Sequence, residues 1–181
     1  MKKQIKTKLP IDSVVAVTYR CNARCVMCNI WQIKDFPELA PKEYLKLPKS
    51  LKDVNISGGE PFLRTDLVEI VKNIKKACPK ANLNISTNGF LVDSIKKVLP
   101  EIKKIVPKIA ISVSIDGVGQ MHEKVRRVPA AWNKVVETIR FCRDELNIKS
   151  IKLAFTLNSE NFQHLPMAYE WSKRLGVEFT M

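Results

Sequence analysis

Cys21, Cys25 and Cys28 bring three thiols into the eight-residue stretch Cys21-Asn22-Ala23-Arg24-Cys25-Val26-Met27-Cys28. In a reducing compartment, cysteines this close together hold metal rather than a disulfide. A structural zinc site is closed by four ligands, and no fourth Cys or His lies near these three in the sequence. An iron–sulfur cube also takes four ligands, so three thiolates leave one iron free for a substrate or cofactor. Spacing by itself leaves zinc, an electron-transfer cluster and an open-cornered cube all standing.

Other chemistry-bearing groups gather at intervals after this loop. Gly58-Gly59-Glu60 combines two glycines, which let backbone approach a ligand, with a carboxylate that can bind an ammonium group. Ser86-Thr87-Asn88-Gly89 and Ser114-Ile115-Asp116-Gly117 end two later apolar runs, and Asn158 ends a third. Of the neighbours Arg126 and Arg127, either guanidinium could clamp a carboxylate bidentately. His122 and His164 have no nucleophile or acidic orienter nearby in sequence, so a hydrolytic triad is unsupported, and both read as surface or supporting residues. Cys78 and Cys142 lie in helical stretches and read as packing residues.

The elements that must position these groups follow from periodicity. Apolar, β-rich runs occur at 13–19, 54–58, 83–88, 109–116, 151–158 and 177–181. Apolar residues at helical spacing occupy 66–77, 92–106, 131–146 and 162–175, and 43–47 reads as a short helix broken by Pro48. Asp66 with Glu69 has the form of a capping box, and Gly176 suits a helix end. This alternation predicts an α/β fold, a partial (β/α)6 TIM-like barrel of parallel strands with right-handed crossovers. A closed eight-stranded barrel needs roughly 200 residues or more, so the chain is expected to be one core domain over residues 1–181, cut off after its sixth strand. The site is expected at the C-terminal strand ends. Alternation puts Asn55 with Ser57, Ser86 with Asn88, Ser112 with Ser114 and Asp116, and Ala154 with Thr156 and Asn158 on common faces. In the last three sets the most polar residue lies last, as in a barrel whose interior turns hydrophilic at its mouth.

Hydrophobic residues make up 45% and charged residues 27% of the 181, a globular balance that excludes disorder. No apolar run reaches the ~18 residues of a membrane span. The lysine-rich residues 1–8 precede no apolar stretch, so they do not read as a signal peptide. A cytoplasmic protein is expected. The formal charge of +13 favours acidic partners such as an electron-donor protein or nucleic acid. The lysines are dispersed along helical stretches with no interleaved aromatics, which favours solvated faces over a nucleic-acid surface.

CxxxCxxC, followed one strand later by Gly58-Gly59-Glu60, resembles the signature of the radical S-adenosylmethionine (SAM) superfamily, in particular members with a SPASM/twitch-type C-terminal extension, absent here. The resemblance implies that Cys21, Cys25 and Cys28 hold a [4Fe-4S] cluster whose open iron binds the methionine part of S-adenosyl-L-methionine. It implies that Gly58, Gly59 and Glu60 meet the amino group, and that Ser114 and Asp116 meet the ribose or carboxylate. Arg127 is the favoured carboxylate clamp, Ser86, Asn88 and Asn158 are polar strand ends, and the backbone of Met27 meets adenine. A flavodoxin- or ferredoxin-like donor would reduce the cluster, and SAM would be cleaved to a 5'-deoxyadenosyl radical that takes hydrogen from an unidentified substrate. These residues alone are expected to bind both cofactors without turning over substrate. The rival readings are a zinc or iron–sulfur module that binds nucleic acid and a non-catalytic scaffold.

Overall fold

The computed structural model describes residues 8–181; of the lysine-rich start, residues 1–7 lie outside them. Six strands form one sheet in sequence order: β1 (Asp12–Thr18), β2 (Asp53–Gly58), β3 (Asn82–Thr87), β4 (Ala110–Ser114), β5 (Ser150–Ala154) and β6 (Glu178–Thr180). Every pairing is parallel, which requires a crossover between each pair of strands. The crossovers carry α1 (Leu67–Ala77), α2 (Val92–Ile105), α3 (Gln120–Arg126), α4 (Ala131–Arg140) and α5 (Leu165–Leu175). The architecture is the expected open (β/α)6 partial barrel.

The two faces of the sheet differ in chemistry. Val54, Ile56, Leu83, Ile85, Ile111, Val113 and Leu153 alternate along the strands and are buried with the helices. On α1, Leu67, Ile70, Val71 and Ile74 fall at helical spacing and are fully buried. Each such side chain contributes about 1.5–3 kcal/mol through removal from water. The intervening strand residues face the concave side, and from β2 to β4 most of them are polar. Asn84 donates to Asn55 at 2.7 Å, Ser86 donates to the same oxygen at 2.9 Å, and Ser112 donates to Asn84 at 3.0 Å. This inner ladder replaces the aliphatic layers that fill a closed barrel.

Local expectations fare unevenly. Gly176 ends α5 in the left-handed conformation (φ 65°). Asp66 stands at the N-cap of α1, but its side chain does not cap: Arg64 takes both carboxylate oxygens at 2.7 and 2.8 Å. The stretch 131–146 is helical, but it widens to a π turn over Phe141–Glu145, where Leu146 N–H bonds the Phe141 carbonyl. Strands β4 and β5 stop at Ser114 and Ala154, short of the expected 116 and 158, where Asp116 N–H bonds the His122 side chain and Thr156 N–H bonds the Asp116 side chain. The helix α3 lies in a stretch to which periodicity assigned no element. No helix among the described residues is long and apolar enough to cross a membrane.

Candidate active site

The cysteine loop leaves β1 at the C-terminal edge of the sheet, where β2 is shaped to receive it. Gly58 has φ 127°, and a Cβ built there would lie 2.2 Å from the Thr18 carbonyl oxygen; one on Gly59 would lie 2.1 Å from that of Arg20. Gly59 N–H bonds Thr18 O at 2.8 Å, and Glu60 N–H bonds Arg20 O at 2.9 Å. The glycine pair thus docks the root of the cysteine loop onto β2, a use of Gly-Gly that the sequence reading assigned to ligand approach alone. Both glycines also line the cleft that holds the thiols.

Cys21, Cys25 and Cys28 are free thiols lining one cleft of about 200 Å³. Its wall is completed by Met27, Gly58, Gly59, Ser86, Asn88 and Ser114, all expected there, and by Ser57, Thr87, Arg126 and Thr156. Burial pushes the Cys21 and Cys25 thiols up, and Arg126 works against this at Cys25. No fourth Cys or His lies in the lining of this cleft, and among the described residues no three His, Cys, Asp or Glu groups converge on a single metal ion. A donor set of three thiols and no fourth fits a multi-iron cluster with an open corner better than a closed zinc site.

Two polar connections hold the loop over the cleft. From β3, Asn88 Nδ2 donates to Asn22 at 2.7 Å and lies 3.9 Å from Cys21 Sγ. From α3, Arg126 Nη1 lies 3.7 Å from Cys25 Sγ, and Val26 N–H bonds Val125 O at 2.9 Å. A strap over residues 29–40 adds a third tie. Glu38 of the strap takes Arg20 at 2.8 and 3.1 Å, Arg64 at 3.3 Å and the Thr18 hydroxyl. Trp31 Nε1 donates to Cys28 O at 2.8 Å, and the Arg24 guanidinium lies 5.7 Å from its ring centre.

Four expected site residues take other places. Glu60 is fully buried and outside the cleft lining, with its carboxylate accepting from Phe62 N–H (3.2 Å), Thr87 Oγ1 (2.8 Å) and Asn88 N–H (2.8 Å). Burial pushes this carboxyl up to about 7 against the pull of those hydrogen bonds. It therefore ties the end of β2 to the end of β3. Asp116 is likewise fully buried, accepting from Thr156 N–H at 2.8 Å with Arg126 Nε 2.5 Å from its other oxygen. That contact pairs charges without an aligned N–H···O bond. Arg127 is exposed at the left-handed end of α3 (φ 53°), so the arginine that enters the cleft is Arg126. Asn158 closes a turn, bonding Asn161 and Glu160, and lies outside the cleft lining.

Of the two readings open for His122, surface or supporting, the structure bears out the second. The residue is fully buried, its Nδ1 accepts from Asp116 N–H at 3.1 Å, and desolvation brings its pKa down to about 3. It is a neutral strut behind the Asp116–Arg126 pair, while His164 stands apart from the cleft. Cys78 and Cys142 are buried packing residues, as expected. The sequence reading named Arg126 but favoured Arg127, and it placed Thr156 on the common face of its strand without giving it a role in the site. An i, i+4 pair of Met121 and Val125 was the one available sign of α3.

A sequence model of the Radical SAM superfamily matches residues 15–172. The chain belongs to the radical SAM superfamily. Among curated relatives in the superfamily, an "Fe-coproporphyrin III synthase" of Methanosarcina barkeri is 32% identical over 174 residues, covering 91% of this chain and 41% of that protein. A "Probable GTP 3',8-cyclase" of Saccharolobus islandicus is 30% identical over 172 residues, covering 92% of this chain and 54% of that protein. The chain thus spans about half the length of the curated relatives it matches. Among solved structures, Streptococcus suis SuiB bound to S-adenosylmethionine superposes with TM-score 0.72 at 17% identity, over 94% of this chain and 40% of SuiB. Native anSMEcpe with bound AdoMet superposes with TM-score 0.68 at 19% identity, over 94% and 52%. These two likenesses show the shared fold.

Proposed function

We propose that residues 1–181 form the core of a radical SAM enzyme in which Cys21, Cys25 and Cys28 hold a [4Fe-4S] cluster and leave one iron for S-adenosyl-L-methionine. The observation that carries this is the convergence of three free thiols with the Gly58-Gly59 backbone in one cleft at the strand ends. When bound, the cluster and SAM supply one-electron cleavage of a sulfonium and a carbon-centred hydrogen abstractor. The chain's own residues position and enclose. Gly58 and Gly59 seat the cysteine loop, Asn88 and Arg126 hold it from two sides, and Glu60 fixes the turn that carries Asn88. Ser57, Ser86, Ser114 and Thr156 offer hydroxyls to a ligand along the cleft wall. No group in the lining needs to move a proton for that cleavage.

The concave face continues from the cleft as amides and hydroxyls, which supports a polar, hydrogen-bonding substrate. Of the chemistries named in its relatives, a nucleotide suits this wall better than a porphyrin macrocycle. The formal charge of +13 supports an acidic flavodoxin- or ferredoxin-like electron donor, and Arg24 and Lys34 flank a cavity that reaches Cys21. Five unpaired thiols support a reducing, cytoplasmic location.

The test is anaerobic reconstitution with iron and sulfide, then dithionite reduction in the presence of SAM. About four irons per chain and release of 5'-deoxyadenosine are expected, both abolished when the three cysteines are replaced by alanine. Stoichiometric zinc with no SAM cleavage would overturn the reading.

A further inference from the structure

The three thiols do not stand in equal surroundings. Cys25 is the most buried, at 7% exposure, whereas Cys21 and Cys28 are partly open. The polar side chain beside its sulfur is Arg126, with Nη1 3.7 Å from Sγ. A guanidinium does not lose its proton in a protein, so this is a fixed positive charge against a buried sulfur. The guanidinium is in turn held from behind. Its Nε lies 2.5 Å from Asp116, whose second oxygen is taken by Thr156 N–H and whose own N–H is taken by His122. The backbone bond from Val26 to Val125 fixes the cysteine loop to the same helix that carries Arg126.

We propose that Arg126 and Asp116 are positioning residues that set the reduction potential of the cluster through the Cys25 sulfur. The inference rests on the cluster assignment above. Adding an electron to an iron–sulfur cluster raises negative charge on its sulfurs, and a nearby cation or hydrogen-bond donor stabilises that state. Arg126 therefore makes the cluster easier to reduce. Asp116 opposes it, because a buried carboxylate in contact with the guanidinium cancels part of its charge in a low-dielectric setting. The pair is a dipole with its positive end on the sulfur, and its two halves act in opposite directions. A strut that merely held α3 against the loop would show no such opposition.

The experiment compares reconstituted wild type with R126K, R126Q and D116N, all without SAM or substrate. The midpoint potential is read by redox titration followed by electron paramagnetic resonance, with iron content and thermal midpoint as controls. R126Q is expected to shift the potential negative and D116N to shift it positive. R126K, which keeps the charge, should stay near wild type. Equal potentials in wild type and R126Q at equal iron content would overturn the proposal. If R126Q does not take up iron, D116N decides, and an unchanged or more negative potential there overturns it. Failure of the wild type to assemble a four-iron cluster would instead sink the functional reading beneath, and this inference with it.

Discussion

At the scale of single residues, side chains that look alike in the sequence divide between lining the site and holding it up. Ser114 faces the cleft while Asp116, two positions on, is buried behind it. Glu60 belongs to the second group, and this gives it a pH signature. Its pKa rises from 4.5 to about 7 on folding, so the folded state holds the proton more tightly than the unfolded chain. Its contribution is fully present below pH 4.5 and is lost as pH climbs through about 7, at most about 3 kcal/mol. His122, held down to about 3, acts in the opposite direction over part of that range, so the readout is the difference in urea-unfolding stability between the metal-free wild type and Glu60→Gln, which should fall as pH climbs. The cysteines were legible because their three positions are local in the chain. The roles of Glu60 and Asp116 were not, because they depend on donors from Thr87, Asn88 and Thr156, dozens of residues away.

At the scale of elements, strands and most helices could be read because each carries its own period of buried residues. The helix α3 could not: seven residues hold too few apolar markers. The same gap explains the arginine. Neighbours on a helix point about 100° apart, so without the helix there was no register to choose Arg126 over Arg127. The join between β1 and β2 yields a sharper prediction. Gly58→Ala sets a methyl 2.2 Å from a backbone carbonyl at a φ that side chains rarely adopt. Strain and overlap together should cost about 3 kcal/mol or more. Thermal unfolding should show the loss, and iron uptake should fall with it, since the cysteine loop is seated there.

For the whole molecule, the strand–helix rhythm was enough to give topology, and formal charge was enough to give the sign of its field. That field has a kinetic reading. Reduction by an acidic donor protein should slow steeply as ionic strength rises, because the Debye length shrinks from about 30 Å at 0.01 M to about 10 Å at 0.1 M. Charge reversal at Arg24 and Lys34, beside Cys21, should lower the low-salt rate in stopped-flow measurements and weaken the salt dependence. A rate indifferent to salt would place the donor elsewhere. What the sequence hid at this scale is how the concave wall is finished. Asn55, Asn84, Ser86 and Ser112 already bond to one another, so that surface is at ease with bulk water and needs no oily cargo to stabilise it. The concave side can therefore stand open to water while the helices on its convex side keep the sheet intact.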